Sequence, residues 1–249
     1  MDTLMPSSKC GRIVISQSMY FPWVGLLEQV RLADVFVHYD DVQLTRGFYN
    51  RVQVKTQQGS KWLTVPLRDH HRGQLINEVL VDDRIDWRDQ HRNILKQAYL
   101  KSEFRDDMLS LADKVFAQPA TTLADISRTS ILALAEYFDI NQTCRFIESS
   151  SLGVGGSSSQ RLHDIVKVLG GKVYITGHGA RNYLDHNLFE QSGIEVRYMQ
   201  YKCNPYQQLH GEFTPYVTAL DLVANCGKAG AGVINSEAIN WKEFINESA

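Results

Sequence analysis

Two adjacent carboxylates, Asp40 and Asp41, follow the run VFVHY at 35–39. Carboxylates at a strand end can hold Mg²⁺ or serve as a base. Neighbouring side chains on one strand point to opposite faces, so the two do not share a ligand along a continuous strand. The plainer reading is that they cap local N–H groups in a turn. Gln43, Asn50 and Arg51 lie just beyond and add amide and guanidinium donors. A second group is Gln17, Tyr20, Phe21 and Trp23, in the stretch SQSMYFPW after RIVIS at 12–16. Their rings could stack on a base or sugar, or could anchor a helix to the core. A third group is the segment GHGAR at 177–181 with Tyr183 two residues on. Gly177 and Gly179 permit close backbone approach, His178 offers an imidazole for proton transfer, and Arg181 can pair with a phosphate or carboxylate. Asp40, Asp41 and His178 are thus the catalytic candidates. Gln17, Tyr20, Trp23, Gln43, Asn50, Arg51, Gly177, Gly179, Arg181 and Tyr183 are the substrate-binding candidates.

The serine-rich loop SLGVGGSSS at 151–159 precedes a helical pattern, where serines cap the helix or bind a phosphate. It fits neither the Walker pattern nor GxGxxG, and composition alone reads it as a plain loop. No HExxH or HxH set appears, and His70 and His71 are adjacent, which disfavours chelation of one ion. No GxSxG elbow marks a nucleophile. The expectation is no bound metal and no resident cofactor.

These candidates need elements to hold them. Arg12–Ser16 and Val35–Tyr39 read as strands, with a helix over Val24–Ala33 between them. Such a βαβ unit predicts a parallel pair in a layered α/β fold. Phe48–Thr56 and Lys61–Leu67, joined through QQGS, predict a hairpin, with a further strand at Leu75–Val81. Trp87–Lys101, Phe104–Phe116 and Thr122–Phe138 carry helical periodicity, and Pro119 separates the last two. Cys144–Ser149, Val173–Thr176 and Glu195–Gln200 read as strands, with a helix at Gln160–Leu169 ending on Gly170 and Gly171. Val217–Asn225 and Ala238–Asn246 predict two short helices. The expected fold is a Rossmann-like parallel core with an antiparallel hairpin and helical insertion at about 47–140. In domain terms, residues 1–11 are a loose extension and residues 12–249 a single domain. The loops after the strands lie where open α/β sheets bind ligands.

The chain has 249 residues, 43% of them hydrophobic, and a formal net charge of −2. That supports one substantial core, and no basic excess points to nucleic acid. The 4 cysteines are scattered without a CxxC pair, which fits reduced thiols. With no secretory signal in MDTLMPSSKCGR and no apolar run of about 18 residues, the expectation is a cytoplasmic protein without integral membrane association.

Several blocks, in order, resemble the WbqC-like family of bacterial surface-polysaccharide gene clusters. They are YFPWVG at 20–25, ADVFVHYDDVQ at 33–43, NRVQVK at 50–55, KWLTVPL at 61–67, WRDQHRNILKQAYLKSEFRDD at 87–107, RLHDIVKVLGGKVYITGHGARNYLD at 161–185 and PYQQLHGEFTPYVTALDLVANCG at 205–227. The resemblance implies a role in making O-antigen, the lipopolysaccharide surface glycan, or related glycans. The activity it suggests is a transferase for a nucleotide-linked sugar, in the form of acyl or aminoacyl transfer to an amino sugar. Its partners would be the nucleotide sugar and other glycan-biosynthesis enzymes. The alternative is a non-catalytic partner of a glycan-modifying enzyme. The family usually carries His-Gln-Pro after the first strand, whereas Ser16, Gln17 and Ser18 stand here. That departure puts any catalysis by the absent histidine in doubt. The layout of Arg12–Gln43 is also similar to the opening of HIGH-type nucleotidylyltransferases, but Pro22, Trp23, Val24 and Gly25 stand where their histidines would be. Adenylyl transfer by that route is not supported.

Overall fold

The computed structural model describes residues 11–247. The expected extension at residues 1–11 therefore lies outside the described residues except for Gly11, as does Cys10. The chain opens with β1 (Arg12–Ser16), α1 (Val24–Leu32) and β2 (Val35–His38). Next come β3 (Arg51–Thr56), β4 (Gly59–Thr64), β5 (Leu67–Arg68) and β6 (Leu80–Val81). Three helices follow: α2 (Trp87–Ala98), α3 (Arg105–Phe116) and α4 (Leu123–Tyr137). The chain then returns to β7 (Arg145–Glu148), α5 (Ser158–Val168), β8 (Val173–Thr176), α6 (His186–Gln191) and β9 (Glu195–Met199). It closes with α7 (Ala219–Cys226), β10 (Ala238–Asn240) and α8 (Trp241–Glu247).

The main sheet runs β10-β9-β8-β1-β2-β7, parallel throughout except for β10. Counting only these strands in chain order, the arrangement is the Rossmann one, 3-2-1-4-5-6. Its central run RIVIS is apolar at successive positions because helices cover both faces. Ile13 and Ile15 pack with Leu162, Ile165 and Val166 of α5 and with Phe189 and Phe244. Val14 points the other way, onto Leu26 and Val30 of α1 and Ile131 and Ala135 of α4.

The insertion sits between β2 and β7. α4 belongs to both parts, since its Leu123, Ile126 and Leu134 join the separate core of Trp87, Tyr99, Met108 and Leu222. A capping box of Thr122 and Asp125 fixes where α4 begins. The hairpin turns at Gly59, whose φ of +102° suits glycine.

Two readings change. Of the strand expected at Leu75–Val81, only Leu80–Val81 forms a strand, against Leu67–Arg68, while Leu75 makes an isolated bridge to Gln43. The helix expected over Ala238–Asn246 starts at Trp241, because Ala238–Asn240 adds antiparallel to the edge strand β9. A three-residue edge strand is too short to show a period of its own.

Candidate functional site

The strand order reverses between β1 and β8, neighbours in the sheet although β2 and β7 come between them in sequence. An open cavity of about 730 Å³ lies outside their carboxyl ends. β1 contributes Ser16 and Gln17, and β8 contributes Thr176 followed by Gly177 and Gly179. Tyr39, Asp41 and Gln43 reach it from the end of β2, and Tyr49 from the start of the insertion. Gly156, Ser157, Ser158 and Arg161 come from the loop and first turns of α5, and Tyr183 closes the rim. A side chain at position 177 would press on the Tyr201 hydroxyl, 3.0 Å from the ideal Cβ, so glycine keeps this wall open. Ser158 has a φ of +55°, an unusual backbone for a serine, at the cavity wall.

The two neighbouring carboxylates, both just past the end of β2, diverge. Asp41 turns to the α5 side, where it accepts hydrogen bonds from the Ser149 hydroxyl and from the Arg161 guanidinium. Arg161 also donates to the Val154 carbonyl at 3.0 Å and stacks over Tyr39, 4.9 Å from the ring centre. Asp40 turns to the α4 side and is fully buried. It accepts from the Ser18 backbone N–H and hydroxyl, both at 2.8 Å, and from Arg128 Nε at 2.7 Å. The Ser18 hydroxyl also lies 2.8 Å from His38 Nδ1. Burial first, and the Arg128 charge second, push the His38 imidazole down to about 3, so it is neutral.

Burial raises the Tyr39 phenol above its usual range, an effect partly offset by the Arg161 charge. Burial also raises Tyr183, helped by the nearby Tyr39 and Tyr49. Both therefore remain protonated at neutral pH and can donate as well as accept. The cavity thus presents phenols, hydroxyls, amides and backbone groups around one internal ion pair.

Of the residues singled out by sequence, Gln17, Asp41, Gln43, Gly177, Gly179 and Tyr183 line this cavity. The others lie elsewhere. Tyr20 is fully buried in the insertion core, with its hydroxyl 2.9 Å from His91 Nδ1 and its ring against Phe21 and Trp87. Trp23 packs against Tyr201 and Tyr216 at 5.0 and 5.7 Å. Asp40 is taken up by Ser18 and Arg128. His178 donates from Nε2 to the Met199 carbonyl at 2.6 Å and packs on Tyr201 and Phe244, which holds its ring against β9. Asn50 donates to the Val65 carbonyl at 3.1 Å and ties the hairpin together. Arg51 lies on the hairpin's exposed face over Trp62. Arg181 does not line the cavity; its charge acts on Tyr198.

Tyr39, Tyr49 and Arg161 were not singled out by sequence reasoning. For Arg161 a signal existed: it shares a helix face with Leu162 and Ile165, an odd place for a guanidinium unless a partner awaits it. The serine-rich loop, which sequence reads as a cap, a phosphate site or a plain loop, places Ser157 and Ser158 on the cavity wall. Among the described residues, no group of three or more His, Cys, Asp or Glu could hold a metal ion. Among them too, no helix is long and apolar enough to cross a membrane.

Fold and site define a Rossmann-like α/β protein with a polar cavity at its topological switch point. The WbqC-like protein family model matches residues 17–232, and the chain belongs to that family. It is similar to an uncharacterised protein of Mycobacterium tuberculosis (strain ATCC 25618 / H37Rv), Rv1507c. The two are 32% identical over 220 residues, covering 87% of this chain and 94% of the relative. No solved structure matches the chain.

Proposed function

We propose that the protein is a cytoplasmic transferase of surface-glycan biosynthesis that binds a nucleotide-linked sugar in the switch-point cavity. Acyl or aminoacyl transfer to an amino sugar is the form of the reaction, and other enzymes of the same glycan's synthesis are its partners. The observation that carries the reading is the cavity's place, outside the carboxyl ends of β1 and β8, where this strand order binds ligands. Its lining of phenols, hydroxyls and amides suits a polyhydroxylated ligand. Gln17, Gln43 and Tyr183 are the side chains assigned to binding.

One observation favours the non-catalytic alternative. Both carboxylates of the Asp40–Asp41 pair are engaged by arginines, and neither a thiol nor an imidazole lines the cavity among the described residues. The discriminating experiment combines a thermal-shift panel of sugar nucleotides with mass spectrometry of amino-sugar nucleotides incubated with acyl and aminoacyl donors. A ligand-dependent rise in Tm that Gln17→Ala diminishes, together with an acyl mass gain on the sugar, supports the enzyme. A rise without turnover supports the binding protein. If millimolar ligands across the panel give no shift, the nucleotide-sugar reading is overturned.

A further inference from the structure

Outside the cavity, the β3–β4 hairpin and the segment leading into it carry an exposed aromatic shelf. Phe48 is 59% exposed and Trp62 39% exposed, yet their rings stack at 5.8 Å with 21° between planes. The strand register accounts for the outward face. Val52 and Leu63 pair inward onto the core, so Arg51, Gln53 and Trp62 face out. The Arg51 guanidinium lies over the Trp62 ring, 4.7 Å from its centre. Its Nε donates to the Gly47 carbonyl at 3.3 Å, and among the described residues it forms no ion pair.

The chain links this shelf to the cavity wall. Tyr49, which lines the cavity, stands between Phe48 and Arg51 in the chain. The segment is pinned on both sides: the Tyr20 N–H donates to the Tyr49 carbonyl at 2.9 Å, and the Val65 N–H to the Asn50 carbonyl at 2.8 Å. Charge separates the two places. Within the cavity, Arg161 is already neutralised by Asp41, and no other charged side chain lines it among the described residues. A diphosphate placed there would bring two negative charges and meet no unpaired cation among the lining side chains, only the N–H groups at the start of α5. A neutral sugar ring would meet hydroxyls and amides. The cation and the flat rings lie together on the shelf.

We propose that Phe48, Trp62 and Arg51 form a nucleoside diphosphate subsite outside the cavity, with the sugar of the same ligand seated inside it. The base stacks on the aromatic shelf, Arg51 meets the diphosphate, and Tyr49 marks the boundary. The assignment rests on the nucleotide-sugar reading above and specifies which half of the ligand goes where.

The test uses calorimetric titration with a sugar nucleotide identified by the thermal-shift panel and with its parent nucleoside diphosphate. The variants are Trp62→Ala, Phe48→Ala and Arg51→Gln on the shelf, and Gln17→Ala and Tyr183→Ala in the cavity. The shelf residues are exposed, and melting curves verify that each variant stays folded. Each of the two aromatic variants is expected to weaken both ligands about 10-fold, the scale of lost base–aromatic stacking. Trp62→Phe should recover most of that loss. Arg51→Gln is expected to weaken both ligands and to flatten their salt dependence. The cavity variants should weaken the sugar nucleotide and leave the nucleoside diphosphate unchanged. If the sugar nucleotide binds and the shelf variants bind it as wild type does, the subsite is refuted while the cavity reading stands. If the cavity variants weaken the nucleoside diphosphate as much as the sugar nucleotide, the division between the two halves is refuted. If no sugar nucleotide in the panel binds, the subsite falls with the reading beneath it.

Discussion

Asp40→Ala separates a structural carboxylate from a catalytic one. The carboxylate is fully buried and joins the loop after β1 to α4 through Ser18 and Arg128. Removing one partner of a buried ion pair costs about 3–5 kcal/mol. Arg128 keeps Glu148 at 2.8 Å on its other nitrogen, so the lower end of that range applies. The Ser18 N–H, left buried without an acceptor, adds about 1–2 kcal/mol. The sum is about 4–5 kcal/mol. At about 2.1 cal/mol/K per residue, the unfolding entropy of the 249-residue chain is about 0.5 kcal/mol/K. The expected fall in Tm is therefore about 8–10 °C, read by calorimetry at pH 7. Asp40→Asn retains an acceptor for Ser18 and loses the charge facing Arg128, so it should fall by about half as much. A Tm for Asp40→Ala within 2 °C of wild type would refute this account. A variant Asp40→Asn that melts like wild type but lacks the proposed transfer, where wild type shows it, would instead return Asp40 to the chemistry.

Two further outcomes follow from the core. Burial pushes His38 down to about 3 and His91 down to about 4, against 6.5 for a free imidazole. Because the folded values are depressed, the unfolded chain gains protons first, and stability present above pH 6.5 is lost as pH falls. Each histidine contributes about 1.4 kcal/mol per pH unit between its folded value and 6.5, opposed in the acid range by Asp221 and Glu28, which burial raises. Urea denaturation of wild type and His91→Gln should show the variant's pH slope smaller by about that amount between pH 6 and 4.5; parallel profiles would contradict it. Gly25→Ala should cost about 1–3 kcal/mol, because its new Cβ would lie 2.2 Å from the Trp23 ring. An unchanged Tm would show that the indole moves aside freely.

Periodicity and composition report how much of a residue is covered, and little about what covers it. The strands RIVIS and VYIT were legible because parallel strands covered on both faces must be apolar throughout. The Gly-Gly stop after α5 was legible because glycine readily takes the left-handed conformation on which many helices end, and Gly170 has a φ of +68°. With the strands in hand, the position of the cavity followed from sheet topology, so Gln17, Asp41 and the 177–183 turn could be reached from sequence. What was not legible was which aromatic side chains leave space unfilled. Tyr20 and Tyr39 are both tyrosines lying past the carboxyl end of a parallel strand. The difference lies across the fold: Tyr20 meets His91, 71 residues away, in a filled core, whereas Tyr39 meets Arg161 beside open space. The same holds for the carboxylates. Alternation on a strand predicts that Asp40 and Asp41 diverge, and they do although both lie past the end of β2; the placement of α4 and α5 decides that each meets an arginine. A cavity is a local failure of packing, bounded by contacts between residues far apart in the chain, and so it leaves its clearest trace in a polar residue on an apolar face. Arg161, on the inner side of α5, is that trace.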